Sequence, residues 1–192
     1  MDRKKLAILV LVGTTMLLAT GFATAQETTA QEKQTQSMVV LACTIAMAIA
    51  GIASATGLGV AGVSAAAVTA EKPELFAKSL ILQMLPMTQT IYALITSILL
   101  LMGAGLLGGK AAMDLSDPAM GTAAVFTGLL VGLTGLSAIN QGIISSAGIS
   151  ATGRSPNITG RAIIFAVMPE TIAIFGFLVA LLIMVLGLKI LG

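Results

Sequence analysis

The sequence predicts an all-α transmembrane protein, four long helices built as two tandem-duplicated hairpins that assemble side by side in a membrane ring. Three observations predict the helices and their pairing. The 192 residues are 57% hydrophobic and 9% charged, with a mean hydropathy of +1.03, whereas a soluble domain is about 25% charged. Four apolar stretches, Met38–Ala70, Leu75–Gly109, Ala119–Ala151 and Thr159–Gly192, each exceed the roughly 20 residues that cross a bilayer. Motifs in the first pair of stretches recur in the second. The same composition excludes disorder by its hydrophobicity and a disulfide framework by its single cysteine, Cys43. With no histidine there is no basis for structural zinc, and a net charge of +2 gives no footprint for nucleic acid.

The chain opens with Arg3, Lys4 and Lys5, an apolar run from Leu6 to Leu18, and Ala23-Thr24-Ala25 before a polar Gln26. A basic start, a short apolar core and a small-x-small site predict a signal peptide over 1–25. Residues 26–37, rich in Gln and Thr without an apolar face, read as a flexible leader outside the cytoplasm. The first hairpin is expected over 38–112 and the second over 113–192. Polar breaks containing Pro73, Pro118 and Pro156 separate the spans, as helix-ending residues should. At 1.5 Å per residue, about 30 residues reach roughly 45 Å, so the helices protrude beyond the hydrocarbon.

The first and third loops with their helix starts hold Lys72, Lys78, Arg154 and Arg161, and the other side has Lys33, Lys110 and Lys189 diluted by four acids. The positive-inside rule therefore puts loops 71–77 and 152–158 in the cytoplasm and the mature termini outside, in the cell membrane. A signal peptide sends the N-terminus the same way. Gln89-Thr90-Ile91 matches Glu170-Thr171-Ile172, 81 positions on, while Thr69…Pro73 matches Thr152…Pro156, so the reading is a parallel duplication with a short insertion or deletion.

Spans one and three are dense in Gly, Ala and Ser, from Gly51 to Gly62 and from Gly128 to Gly148. In lipid, where packing replaces the hydrophobic effect, small residues let helices approach closely. Spans two and four are bulkier, which suggests an inner tier of slim helices and an outer tier facing lipid, as a closed ring of hairpins requires. Gly57-Leu-Gly59-Val-Ala-Gly62 spells the dinucleotide fingerprint. That fingerprint needs a preceding strand, and here it lies inside a hydrophobic helix, so packing explains it. Asn157-Ile158-Thr159 fits a glycosylation acceptor but lies in a loop assigned to the cytoplasm, and Cys43 reads as a small apolar residue.

Glu170 is the one ionisable residue of the four spans far from a helix end. A charge at that depth costs at least about 2.5 kcal/mol, so it points to function. Leu85, Thr88, Gln89 and Tyr92 fall at i, i+3, i+4 and i+7, one face of the second span. Gln141 adds an amide in the third. From their cytoplasmic helix ends Gln89, Gln141 and Glu170 lie about 14, 10 and 11 residues in, one slab roughly 15–21 Å deep. One carboxylate with neutral oxygens suits a hard cation such as Na⁺, whereas transition metals favour nitrogen or sulfur. A proton needs only the carboxylate. Pro86 and Pro169 lie beside this level, each removing a helix N–H.

At Leu85-Pro86-Met87-Thr88-Gln89-Thr90-Ile91-Tyr92, Asn140-Gln141-Gly142 and Ile164 through Thr171, the sequence resembles the K subunit, or proteolipid, of V-type and A-type ATPases. The resemblance covers nearly all of residues 38–192. It implies a membrane rotor subunit without catalysis of its own, in a homo-oligomeric ring turning against a stator membrane subunit. Central-stalk subunits would meet the cytoplasmic loops, and ATP hydrolysis or synthesis would occur in a peripheral head. It implies one essential carboxylate, in the fourth helix. In sodium-transporting members the ion is held by a backbone carbonyl, a Thr hydroxyl, two Gln amides and the Glu, with a Tyr bracing the Glu. Those places are taken here by the Leu85 carbonyl, Thr88, Gln89, Gln141 and Glu170, with Tyr92 as the brace. The resemblance thus implies transport of Na⁺ over H⁺ and no cofactor. The leader departs from the short members of the family.

Two other classes stay open at this stage. A stand-alone secondary transporter or channel would use Glu170 as its coupling residue, and a structural scaffold would not use it at all.

Overall fold

The computed structural model describes residues 30–190, and the expected signal peptide lies outside them. Among the described residues there are helices and turns and no strand. Four segments are long and apolar enough to cross a membrane: Ala30–Glu71, Pro73–Gly103, Pro118–Arg154 and Pro156–Gly187. The first is a single helix, α1 (Ala30–Glu71), because nothing in its 42 residues breaks the hydrogen-bond ladder. The second comprises a 3₁₀ turn at Pro73–Leu75, α2 (Phe76–Met84), a second 3₁₀ turn at Leu85–Met87 and α3 (Thr88–Gly103). The third is α4 (Pro118–Gly135) and α5 (Ser137–Arg154), and the fourth is a 3₁₀ turn at Pro156–Ile158, α6 (Thr159–Val167), α7 (Glu170–Leu182) and a π turn at Ile183–Gly187.

Three expectations are corrected. The first helix begins at Ala30 rather than Met38, so residues 30–37 are helical and not a flexible leader. Ala, Gln, Glu and Lys are good helix formers, Thr35 is fully buried, and the Gln36 amide donates to the Ala104 carbonyl at 3.3 Å. The second span ends at Gly103 rather than Gly109. Leu106 N–H donates to Leu101 O at 2.9 Å and Gly105 N–H to Met102 O at 3.0 Å, with Gly105 at φ 71°. That pair of bonds is the Schellman closure, which needs the left-handed backbone glycine adopts without strain. The fourth span ends at Gly187, after which Leu188 N–H bonds back to Ile183 O and the chain turns through Lys189 at φ 53°.

The register of the repeat is also corrected. The turns 73–75 and 156–158, and the helices 76–84 and 159–167, are each 83 positions apart. Ser54 and Ser137, Gly59 and Gly142, and Pro86 and Pro169 stand at the same offset. The Gln-Thr-Ile and Glu-Thr-Ile match at 81 is therefore two residues out of structural register. Glu170 is the counterpart of Met87, and no insertion separates the halves over this stretch.

Close backbone approach between α1 and the third span explains the small residues. A Cβ on Gly57 would overlap the Ala138 carbonyl, one on Gly142 would overlap the Gly57 backbone, and one on Gly128 would overlap Ala42 O. Large apolar side chains are exposed on every span, among them Ile52 and Val63 on the first, Phe126 on the third, and Phe76, Phe165, Phe175 and Leu186 on the second and fourth. At one end the loop 104–117 folds back, with Met113 buried among Val39, Leu100 and Leu188. There Asp117 caps α4, accepting from Ala119 N–H at 2.9 Å with Pro118 at the first helical position. At the other end Lys72 donates to the Gly153 carbonyl at 2.6 Å and ties the two tight turns together.

Candidate functional site

Two apolar clusters leave a polar layer between them. One holds Ala46, Ala50, Ala93, Val131 and Ala180, the other Ala61, Leu82, Ile149, Ala162 and Ala166. In the gap Gln89 and Gln141 are fully buried and Glu170 is 8% exposed. Polar groups at such depth require partners from within the protein, and here they bond one another.

The chain of bonds runs through all six residues that the sequence singled out. Tyr92 donates its hydroxyl to Glu170 Oε1 at 2.8 Å, and Gln141 Nε2 donates to Glu170 Oε2 at 3.2 Å. Gln89 Nε2 donates to Gln141 Oε1 at 2.6 Å. Thr88 Oγ1 lies 3.0 Å from the Leu85 carbonyl and 3.3 Å from Gln89 Oε1, donating toward both. Both carboxylate oxygens are thus held by neutral donors, from α3 on one side and α5 on the other. The Leu85 carbonyl, the Thr88 hydroxyl and the Gln89 amide oxygen gather in one turn of the second span.

The helix breaks produce this arrangement. Pro86 cannot donate to the carbonyl four residues back, and the chain tightens into the 3₁₀ turn 85–87, in which Leu85 O accepts from Thr88 N–H. Pro169 breaks the fourth span likewise, with Met168 N–H reaching Phe165 O and Thr171 N–H reaching Met168 O. Glu170 becomes the first residue of α7. The third span breaks too, without proline. Thr134 Oγ1 bonds the Leu130 and Val131 carbonyls, and Leu136 N–H falls to a bond three residues back. This break precedes Gln141 by one helical turn and a half.

One contributor escaped the sequence reading. The Phe177 ring stacks on Tyr92 at 5.2 Å between centroids and 18° between planes, fixing the phenol that reaches Glu170. The available signal was its spacing, seven residues after Glu170 and so on the same helix face. Among the described residues no three His, Cys, Asp or Glu side chains cluster as metal ligands. A cation at this level would meet one carboxylate and neutral oxygens.

The family model for the ATP synthase C subunit matches residues 41–100 and 120–183, one segment in each hairpin. The chain belongs to the ATP synthase C-subunit family. It is a proteolipid of the K/c type, and its relatives include the K subunit of the A-type ATP synthase of Methanocaldococcus jannaschii, 42% identical over 73% of this chain. The chain spans 59% of that relative's length. The K subunit of the V-type sodium ATPase of Enterococcus hirae is 39% identical over 74% of this chain and 87% of its own. The 16 kDa proteolipid of the V-type proton ATPase of Ovis aries is 28% identical over 74% and 88% respectively. The duplicated hairpin of this proteolipid carries its carboxylate once. Met87 stands at the repeat counterpart of Glu170, and Leu58 at that of Gln141.

Proposed function

We propose that this proteolipid is the membrane rotor subunit of a V/A-type rotary ATPase, and that it carries Na⁺ by reversible loading at Glu170. The observation that carries the reading is the hydrogen-bonded set of neutral oxygens, with Gln89 and Gln141 fully buried, around the single carboxylate of Glu170. The Leu85 carbonyl, Thr88, Gln89, Gln141 and Glu170 would supply the oxygens, with Tyr92 holding the carboxylate in place. Sodium is favoured over a proton because a proton would use the carboxylate alone. Similarity to the K subunit of a sodium ATPase at 39% identity supports the same choice.

The mechanism follows from desolvation. Loaded, the site is neutral overall and tolerates a lipid-facing position. Unloaded, the carboxylate would face hydrocarbon at a cost of several kcal/mol, so it is populated only beside an aqueous path or a cation on a stator subunit. Rotation of a ring of identical copies is thereby tied to loading and release. With Met87 and Leu58 in the repeat-equivalent places, each chain carries one ion. The basic residues Lys72, Lys78, Arg154 and Arg161 favour a cytoplasmic position for the turns near 72 and 155, where stalk subunits would bind, with the termini on the far side of the cell membrane.

Glu170→Gln tests the reading, because it keeps the volume and removes the charge. The variant in the intact ATPase should assemble and lose ion-coupled ATP hydrolysis. Sodium-stimulated transport by the variant would overturn the assignment.

A further inference from the structure

The 83-residue repeat contains an instruction for how one copy meets the next. Within the chain, a face of α1 that includes Gly57 and Ser64 packs on α5. Gly57 lies against Ala138 O and Gly142, and the Ser64 and Ser146 hydroxyls are 2.7 Å apart. Shifted by 83, those positions become Asn140 and Ala147, both exposed on α5. The opposing face of the third span, with Gly135, Ala138, Gly142 and Ser146, shifts back to Ile52, Ala55, Gly59 and Val63 on α1. Those four are exposed as well, Ile52 to 70% and Val63 to 74%, and a Cβ at Gly59 would meet nothing within 4 Å. Each open face is thus the repeat counterpart of a face already buried against the other. Two faces of one chain that complement each other but cannot meet within it form a head-to-tail contact, which closes as a ring.

The polar residue on this surface marks the register. Asn140 lies one residue from Gln141, at the mid-membrane level, and its exposed side chain has no hydrogen-bond partner among the described residues. An amide left so in the membrane is costly. Its counterpart, Gly57, sits under the Ala138 carbonyl, and the counterpart of Ala138 is Ala55. We propose that Asn140 is the polar anchor between copies. Its amide donates to the Ala55 carbonyl of the next copy, beside Gly59 of that copy. The crossing within the chain leaves no room for a Cβ at Gly57, so the crossing that accommodates Asn140 is wider. Tight crossings within chains and wider, hydrogen-bonded crossings between chains therefore alternate around the ring. This inference rests on the ring assembly proposed above.

Cysteine cross-linking tests it, with Cys43→Ala removing the native thiol. Asn140→Cys with Gly59→Cys in the full chain should oxidise to a reducible ladder, from dimers up to the whole oligomer. Asn140→Cys with Gly51→Cys moves one partner two turns along the same face, about 12 Å, and out of disulfide reach. That pair should remain monomeric under denaturing conditions. Native mass measurement of the wild-type protein separates the two ways of failing. A monomeric wild type overturns the ring and this contact with it. An oligomeric wild type whose 140–59 pair forms no ladder, or whose 140–51 pair forms it instead, overturns this register alone. In the wild-type background Asn140→Leu should lower the temperature at which the detergent-solubilised oligomer dissociates, with Asn140→Gln partly restoring it.

Discussion

Tyr92→Phe isolates one bond of the proposed sodium site. Phenylalanine keeps the ring that stacks on Phe177 at 5.2 Å and leaves no cavity, so what disappears is the 2.8 Å hydroxyl bond to Glu170 Oε1. A hydrogen bond to a charged group contributes about 1.5–3 kcal/mol, and one between neutral groups about 0.5–1.5 kcal/mol. The hydroxyl donates to an ionised carboxylate when Na⁺ is bound and to a neutral carboxyl when a proton replaces it. The bond therefore favours the sodium form by the difference, about 1–1.5 kcal/mol. At about 1.4 kcal/mol per decade, the variant should bind sodium roughly 5- to 12-fold more weakly. Equilibrium binding of radiolabelled Na⁺ to the detergent-solubilised oligomer at fixed pH reads this directly. Affinity within twofold of wild type, in an oligomer of unchanged mass, would refute the bracing role. Complete loss of binding would refute it too, because a brace outside the ion's own shell cannot cost that much.

Two further expectations concern packing and the loop 104–117. Gly142→Ala places a Cβ against the Gly57 backbone, where neither helix can yield, and overpacking of this kind costs about 1–3 kcal/mol. It should lower the thermal midpoint of the solubilised protein, whereas Gly160→Ala, with nothing within 4 Å of the new methyl, should leave the midpoint unchanged or raise it. In the loop, the Ser116 hydroxyl and backbone N–H bond Asp114 and hold its carboxyl below the ordinary 3.8. A depressed carboxylate stabilises the turn above its unfolded value and loses that contribution as pH falls through the folded one. Ser116→Ala should therefore move the Asp114 titration upward, as followed by carboxyl NMR, and an unchanged midpoint would contradict the assigned cause.

The candidate site was legible in the sequence because one physical constraint selected its residues. Polar side chains within a bilayer must converge, and depth along each helix shows which ones share a level. Glu170, Gln141 and the stripe from Leu85 to Tyr92 emerged that way, and the structure brings them together. Hydropathy likewise located four spans. Their ends were less legible. The polar stretch 30–37 continues α1 because it packs beside Ala104 in a distant loop, a contact that local composition does not encode. Gly109 and Gly192 extended apolar runs that the backbone had already left at Gly103 and Gly187. The break before Ser137 has no proline to announce it and depends on where the Thr134 hydroxyl turns. The repeat misled at 81 because Gln-Thr-Ile resembles Glu-Thr-Ile. The prolines at 86 and 169 carry the true offset, since they fix where each ladder breaks.

Protection of Glu170 against a hydrophobic carbodiimide tests the central claim most directly. The reagent attacks the protonated carboxyl, so a cation that occupies the site slows labelling. At constant pH, added Na⁺ should slow modification of Glu170 in the solubilised oligomer in a saturable way, and K⁺ at equal ionic strength should not. Labelling that ignores Na⁺ and responds to pH alone would contradict the sodium site and leave a proton as the transported ion.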